Sequence, residues 1–306
     1  MGGWHSRELC FFLSGARIII RARAYAKTNL YLAVVGTRTD GYHDIETIFQ
    51  SVDLADELTF EVAESIQVSC SNPELCTPGN LAQVAAEELR RASGRKLGAL
   101  IHIDKRIPVA AGLAGGSADA AATLVALNRL WHLGCSMGSL SDIGARVGSD
   151  VPFCLLGGTA FGKGRGTELS RVSPLRQRPI VLAKPEGELP AAKVYATYDE
   201  SRVVAKRPSA LLRAFLDGDQ RGDICCAMEN TLEPAVLRLM PSVGRVKEAA
   251  LEAGAACAIV SGSGPAVCAL AHSRAQANAV AAALRPLCQF VRVCGPVDRG
   301  VDLLDA

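Results

Sequence analysis

One stretch limits what this 306-residue chain can become: Pro108-Val109-Ala110-Ala111-Gly112-Leu113-Ala114-Gly115-Gly116-Ser117-Ala118. It follows a run with strand character, residues 99–104. It opens an Ala/Leu-rich segment of strong helix formers that continues to about residue 133 without an internal Pro or Gly. Glycines at 112, 115 and 116 remove Cβ atoms where the chain must turn sharply, which lets backbone N–H groups approach a ligand. The expected helix would present unpaired N–H groups and a partial positive charge at its first turn. Loop and helix together make an anion site, most simply for nucleotide phosphates. Taken alone, the pattern fits an inert turn equally well, so other residues have to decide.

Charge and composition exclude several classes. With 33 basic and 31 acidic residues the net charge is only +2, which gives no footprint for nucleic acid or an anionic membrane surface. No apolar run reaches the ~18 residues a membrane span needs. A hydrophobic fraction of 49% supports a substantial core, and the length favours two domains over one. A change of composition near Arg165 suggests an N-terminal unit over residues 1–165 and a C-terminal unit over 166–306, with residues 1–16 as a flexible extension. The 11 cysteines are odd in number and scattered, without a C-x-x-C pair, and Cys225 and Cys226 are adjacent. Most are therefore expected to be small buried hydrophobes in a reducing, cytoplasmic setting rather than a full disulfide framework. The five histidines form no ligand pattern, so no structural metal is expected.

Along the chain, residues 18–24 and 29–35 read as two strands, with Lys27 at the junction between them. Residues 39–43 are a turn, leading to strand-like runs at 48–54 and 57–62. Asn80 suits the N-cap of a helix from Leu81 to about Ser93, closed by Gly94. A short helix near 141–147 precedes Gly148-Ser149-Asp150-Val151-Pro152-Phe153. There Pro152 biases Val151 to extended geometry, and Asp150 reads as a cap, a turn residue or a reactive acid. Residues 157–164 nearly match a P-loop, but Gly164 stands where a Ser or Thr hydroxyl is needed, so a strand and turn is the better reading. Beyond it the pattern predicts strands at 179–184, 257–260, 266–270 and 290–293. Helices are expected at 208–216, 243–253 and 275–284, with a loop reaching Tyr195. The irregular alternation points to an α+β architecture.

Three ordered stretches now combine. Ala26-Lys27-Thr28-Asn29-Leu30, the Gly-rich loop from Pro108, and Ser261-Gly262-Ser263-Gly264-Pro265 resemble the three motifs of the GHMP kinase superfamily, over nearly the whole span from residue 18 to 292. Asp40-Gly41-Tyr42-His43, residues 103–108 and residues 148–153 resemble the branch whose alcohol acceptor is a diphosphocytidyl-methylerythritol. The resemblance implies a two-domain α+β fold with the active site in the cleft between domains. It implies transfer of the γ-phosphate of ATP to the 2-hydroxyl of that acceptor. By position Asp150 matches the catalytic base and Lys27 the catalytic lysine. Residues 108–118 match the ATP phosphate loop. Asn29 matches a lining residue, Tyr42 and His43 the cytosine-recognising pair, and Tyr195 an aromatic stacked on the base. Gly262, Ser263 and Gly264 fall on the substrate side. ATP and Mg²⁺ are the implied cofactors, with the magnesium ligands open because Gly115-Gly116 precede a single Ser117 where relatives carry a serine pair. Tyr25 also replaces a frequent Pro. The partners expected are ATP and the small cytidyl substrate, with no nucleic acid and no membrane, the chain acting as a monomer or weak homodimer.

Overall fold

Residues 18–175, 178–206, 209–217 and 224–304 are described by a computed structural model; the opening extension expected over 1–16 lies outside them. The first half of the chain contains β1 (Ile19–Thr37), β2 (His43–Ala63), β3 (Ile66–Cys70), α1 (Leu81–Ser93), β4 (Gly98–Asp104), α2 (Gly115–Leu130), α3 (Met137–Val147), α4 (Val151–Leu156), β5 (Thr159–Lys163) and β6 (Glu168–Arg171). The second contains β7 (Ile180–Lys184), α5 (Ala191–Ser201), α6 (Ser209–Asp217), β8 (Glu229–Asn230), α7 (Glu233–Leu239), α8 (Pro241–Glu252), β9 (Cys257–Val260), β10 (Val267–Leu270), α9 (Arg274–Leu284), β11 (Phe290–Cys294) and β12 (Val301–Leu304).

The two strands expected before residue 36 are one. Strand β1 runs through Lys27 without a break, pairs antiparallel with β2, and shifts register between Tyr25 and Lys27. A bulge of this kind keeps the ladder while re-aiming side chains. Ala26, Lys27, Thr28 and Asn29 are all buried, where simple alternation would expose every second one, because both faces of this part of β1 are covered, with Tyr31 packing into one core and Leu32 into the other. The runs at 48–54 and 57–62 likewise merge into β2. The large sheet orders β12-β1-β2-β4-β3, with β5 also on β2 and β8 parallel to β1. β12 returns from the end of the chain to pair with the start of β1, Ala22 opposite Leu303.

Helix α2 lies on this sheet and is buried almost all round, through Ala118, Ala120, Ala121, Ala122, Leu124, Ala126 and Leu127. Alanine at so many positions lets neighbouring elements approach its backbone closely, and propensity favours it in the helix. The helix begins at Gly115, three residues before the sequence suggests. α1 keeps the expected bounds: the Asn80 side chain accepts from Ala82 N–H at 2.9 Å, and Gly94 closes it at φ 64°. Val151, expected to be extended, opens α4 instead. Pro152 occupies the first turn, where its missing N–H is not needed by the helix. A second sheet, β11-β7-β10-β9, is antiparallel and carries α8 and α9 on a core of Val181, Ala183, Val246, Val260, Val267, Ala269 and Val280. The loop expected to reach Tyr195 is helix α5. Cys70, Cys154, Cys268 and Cys294 are buried thiols, burial pushing Cys268 up to about 11, whereas Cys225 and Cys257 form a disulfide.

Candidate active site

The three stretches singled out in the sequence are bonded to one another. Lys27 N–H in β1 donates to the Leu113 carbonyl of the Gly-rich loop at 3.1 Å, and Ala266 N–H donates to the Ala111 carbonyl at 3.1 Å. The Thr28 hydroxyl donates to the Ser261 hydroxyl at 3.2 Å, which in turn donates to the Gly112 carbonyl at 3.0 Å. This knot of hydrogen bonds is buried, so each polar group it satisfies would otherwise be left unpaired at a cost of about 1–3 kcal/mol.

Around the knot opens a cleft of ≈ 1140 Å³. Its wall includes Lys27, Asn29, Tyr42, His43, Asp150, Tyr195, Gly262 and Ser263, with Pro108, Val109, Ala110, Ala111, Gly112, Ala114, Gly115, Gly116 and Ser117 from the loop. Three candidates stand behind that wall. Leu113 and Ala118 are buried in the core, and Gly264 packs beneath the turn against Val236 and Val260.

The loop is curled differently from the sequence expectation. Left-handed backbone falls at Ala110 (φ 50°), Gly112 (φ 77°) and Ala114 (φ 57°), whereas Gly115 and Gly116 are the first helical residues. Two alanines in that region cost roughly 1–2 kcal/mol each, strain of the sort that collects at functional loops. Gly115 matters for closeness instead: a Cβ there would sit 3.0 Å from Ile107 and 3.2 Å from the Lys105 ammonium. The N-cap of α2 is Ala114, which supplies no side-chain oxygen. The first-turn amides of a 16-residue helix are therefore open to an anion.

Lys27 and Asp150 meet across the cleft. The ammonium lies 3.4 Å from Asp150 Oδ2 and 3.0 Å from Asn29 Oδ1, with the Phe49 ring 5.3 Å away. Asn29 is held in turn by donating to the Thr47 hydroxyl at 2.8 Å. Lys27 is buried while a third of the Asp150 side chain remains exposed. An acid with an open face, partnered by a fixed cation, can accept a proton from a molecule in the cleft.

Also lining the cleft, His43 opens β2 and stacks on Tyr195, ring centroids 4.8 Å apart at 25°. Tyr42 stands half exposed beside it, in a turn where its N–H donates to Asp40 Oδ1. Burial, with the Asp150 charge adding to it, pushes the Tyr195 phenol well above its ordinary value, so it stays neutral.

Two features were not visible in the sequence. Arg165, read there only as a change of composition, lies 3.7 Å over the Tyr42 ring and donates to Ser149 at 3.0 Å, beside Asp150. Its Nε is buried without a hydrogen bond among the described residues. The second is a buried ion cluster under the loop. Lys105 bonds Asp56 at 2.5 Å and Asp119 at 2.7 Å, and Asp56 Oδ1 also accepts from the N–H groups of Arg106 and Ile107. Burial and the Asp56 charge raise the Asp119 carboxyl well above the usual carboxylate range against the pull of Lys105. Burial depresses Lys105, but the two carboxylates outweigh it and the net shift is upward. Residues so far apart, from a strand, a loop and a helix, leave no spacing signal.

Residues 80–158 match the family described as GHMP kinases N terminal domain, and residues 211–287 match GHMP kinases C terminal. The chain is 46% identical over 272 residues to the 4-diphosphocytidyl-2-C-methyl-D-erythritol kinase of Gloeobacter violaceus, covering 87% of this chain and 90% of that one. A crystal structure of 4-(cytidine 5'-diphospho)-2C-methyl-D-erythritol kinase superposes with a TM-score of 0.75 at 32% identity, over 90% of this chain and 99% of the other. The homoserine kinase of Cytophaga hutchinsonii has the same TM-score, 0.75, at 20% identity over 96% of this chain and 99% of its own, a likeness of fold alone. Shared sequence along most of its length, on a shared fold, places this chain in the GHMP kinase family of small-molecule kinases.

Proposed function

We propose that the chain phosphorylates the 2-hydroxyl of 4-diphosphocytidyl-2-C-methyl-D-erythritol with ATP, a step in forming isoprenoid precursors by the non-mevalonate route. The observation that carries this is the pairing of Lys27 with Asp150 at 3.4 Å beside the glycine cradle, in a chain whose relatives bear that name. The Asp150 carboxylate would take the proton of the acceptor hydroxyl as its oxygen attacks the γ-phosphorus. The bond from that phosphorus to the β–γ bridging oxygen breaks, and ADP leaves with the electron pair. Lys27 offsets charge on the transferred group, and the amides of residues 110–117 hold the nucleotide phosphates. Tyr42, His43 and Tyr195 offer flat faces and ring nitrogens suited to a cytosine. Arg165 adds a cation between the two halves of the cleft.

The residues at the cradle suit magnesium. Ser117 supplies a hydroxyl, and Asp119 supplies a carboxyl oxygen, Oδ1, that is buried without a hydrogen bond. No group of three or more His, Cys, Asp or Glu that could hold a metal occurs among the described residues, so most ligands would be phosphate and water, as this ion prefers. Magnesium there would neutralise phosphate charge.

The deciding measurement is a panel of acceptor alcohols with ATP, read by phosphorus NMR. Turnover of the diphosphocytidyl compound with phosphate on its 2-hydroxyl is expected. Turnover of mevalonate or homoserine in its place would overturn the substrate.

A further inference from the structure

Tyr195 and Asp199 sit four residues apart in α5, a spacing that puts both on one face of the helix. Both meet His43. The Tyr195 ring covers one face of the imidazole, and Asp199 Oδ1 lies 2.8 Å from Nε2. Tyr198, between them, meets the ring edge-on at 6.2 Å. A carboxylate at hydrogen-bond distance only accepts, so Nε2 carries the proton. In the neutral imidazole the other nitrogen, Nδ1, is then an acceptor. Among the described residues no hydrogen bond to Nδ1 is formed, and the His43 ring lines the cleft.

We propose that Asp199 is a positioning residue that fixes this tautomer of His43, so that Nδ1 accepts from the exocyclic amine of a cytosine and turns away the carbonyl of a uracil. The proposal rests on the reading of the cleft as a diphosphocytidyl site. Cytosine and uracil differ at that edge by the exchange of an amine donor for a carbonyl acceptor. An acceptor held in place therefore gains a bond with one and faces a second lone pair with the other. A ring free to exchange tautomers could satisfy both bases. Asp199, on a helix already docked to the ring through Tyr195, removes that freedom. The residue is substantially exposed, so its loss leaves the fold in place.

The test compares the diphosphocytidyl acceptor with its diphosphouridyl analogue in the wild type, Asp199→Ala and Asp199→Asn, with the His43 tautomer read by nitrogen-15 NMR. The wild type is expected to favour the cytidyl compound and to show the proton on Nε2. Asp199→Ala should reduce that preference about tenfold, through KM for the acceptor, with kcat and KM for ATP changing less than about threefold. Asp199→Asn, whose amide oxygen can still accept from Nε2, should recover most of the preference. An unchanged preference in Asp199→Ala, or a wild-type ring protonated on Nδ1 alone, would overturn the role of Asp199. Failure of the wild type to phosphorylate the cytidyl compound would instead overturn the substrate assignment, and the tautomer measurement stands apart from it.

Discussion

Asp150 occupies the N-cap position of α4 yet makes no capping hydrogen bond, its carboxylate turning instead toward Lys27. A residue that serves its helix so little is free for chemistry. Asp150→Asn is expected to lower kcat by about 10²–10⁴, the usual worth of a positioned base, while ATP affinity measured by calorimetry stays within about threefold. Near-normal kcat would remove it as the base. Asp119 carries a different expectation. An acid whose pKa is raised by folding binds its proton more tightly in the native state. Its contribution therefore favours the fold below the ordinary value of 3.8 and is withdrawn as pH rises through the raised one. Asp119→Asn should thus gain stability relative to the wild type as pH rises from 3.8 toward the raised value, seen as urea midpoints that diverge over that interval and run parallel above it. Midpoints parallel within that interval as well would show that the carboxyl is not strained by its burial. Lys105→Met removes the cation from between two buried carboxylates and should destabilise by about 3–5 kcal/mol, with the loss largest at neutral pH.

The Gly-rich loop and the turn at residues 261–265 behave as one element, though they lie far apart in the chain. Gly112 is the contact between them. Its φ of 77° suits glycine, and a Cβ there would overlap the Ser261 carbonyl oxygen while pressing to 3.1 Å on Gly264. Gly112→Ala should therefore part loop from turn, cost about 2 kcal/mol or more, and raise KM for ATP more than KM for the acceptor. Equal effects on both constants in steady-state kinetics would mean that the contact serves stability alone. The α1 cap is local by comparison. Its Asn80, with the expected helix bounds, was readable because capping and periodicity act over a few residues. Helix α5 was not readable, since Gly187 and Pro190 just before it carry the signals of a loop, and its packing against α7 and the His43 ring comes from segments distant in the chain.

The end of the chain supports the site from behind. β12 pairs with β1, and the Tyr25 N–H donates to the Gly300 carbonyl at 2.9 Å, two residues before Lys27. Gly300 also lies against the last turn of α4 and against Gly157, so closely that a Cβ on either would overlap the other's backbone or that of Cys154. Both ends of the Lys27–Asp150 pair are thereby held by a segment that does not itself line the cleft. Gly300→Val is expected to lower Tm by several degrees and kcat together, because α4 must shift to admit the side chain. An unchanged melting curve would show that the return strand is dispensable.

Family membership, the helix bounds of α1 and the residue types of the cleft follow from local pattern: glycines where backbone must come close, caps where amides need partners, and motifs in fixed order. Those signals survive in a linear string because each is written within a few neighbouring residues. The burial of successive residues of β1 on both faces, the Lys105 cluster, the placing of Arg165 on Tyr42 and the bond between His43 and Asp199 depend on distant segments arriving together. Burial and through-space charge belong to that assembly, and they give the same lysine, arginine or aspartate a different chemistry from the one its neighbours in the chain suggest.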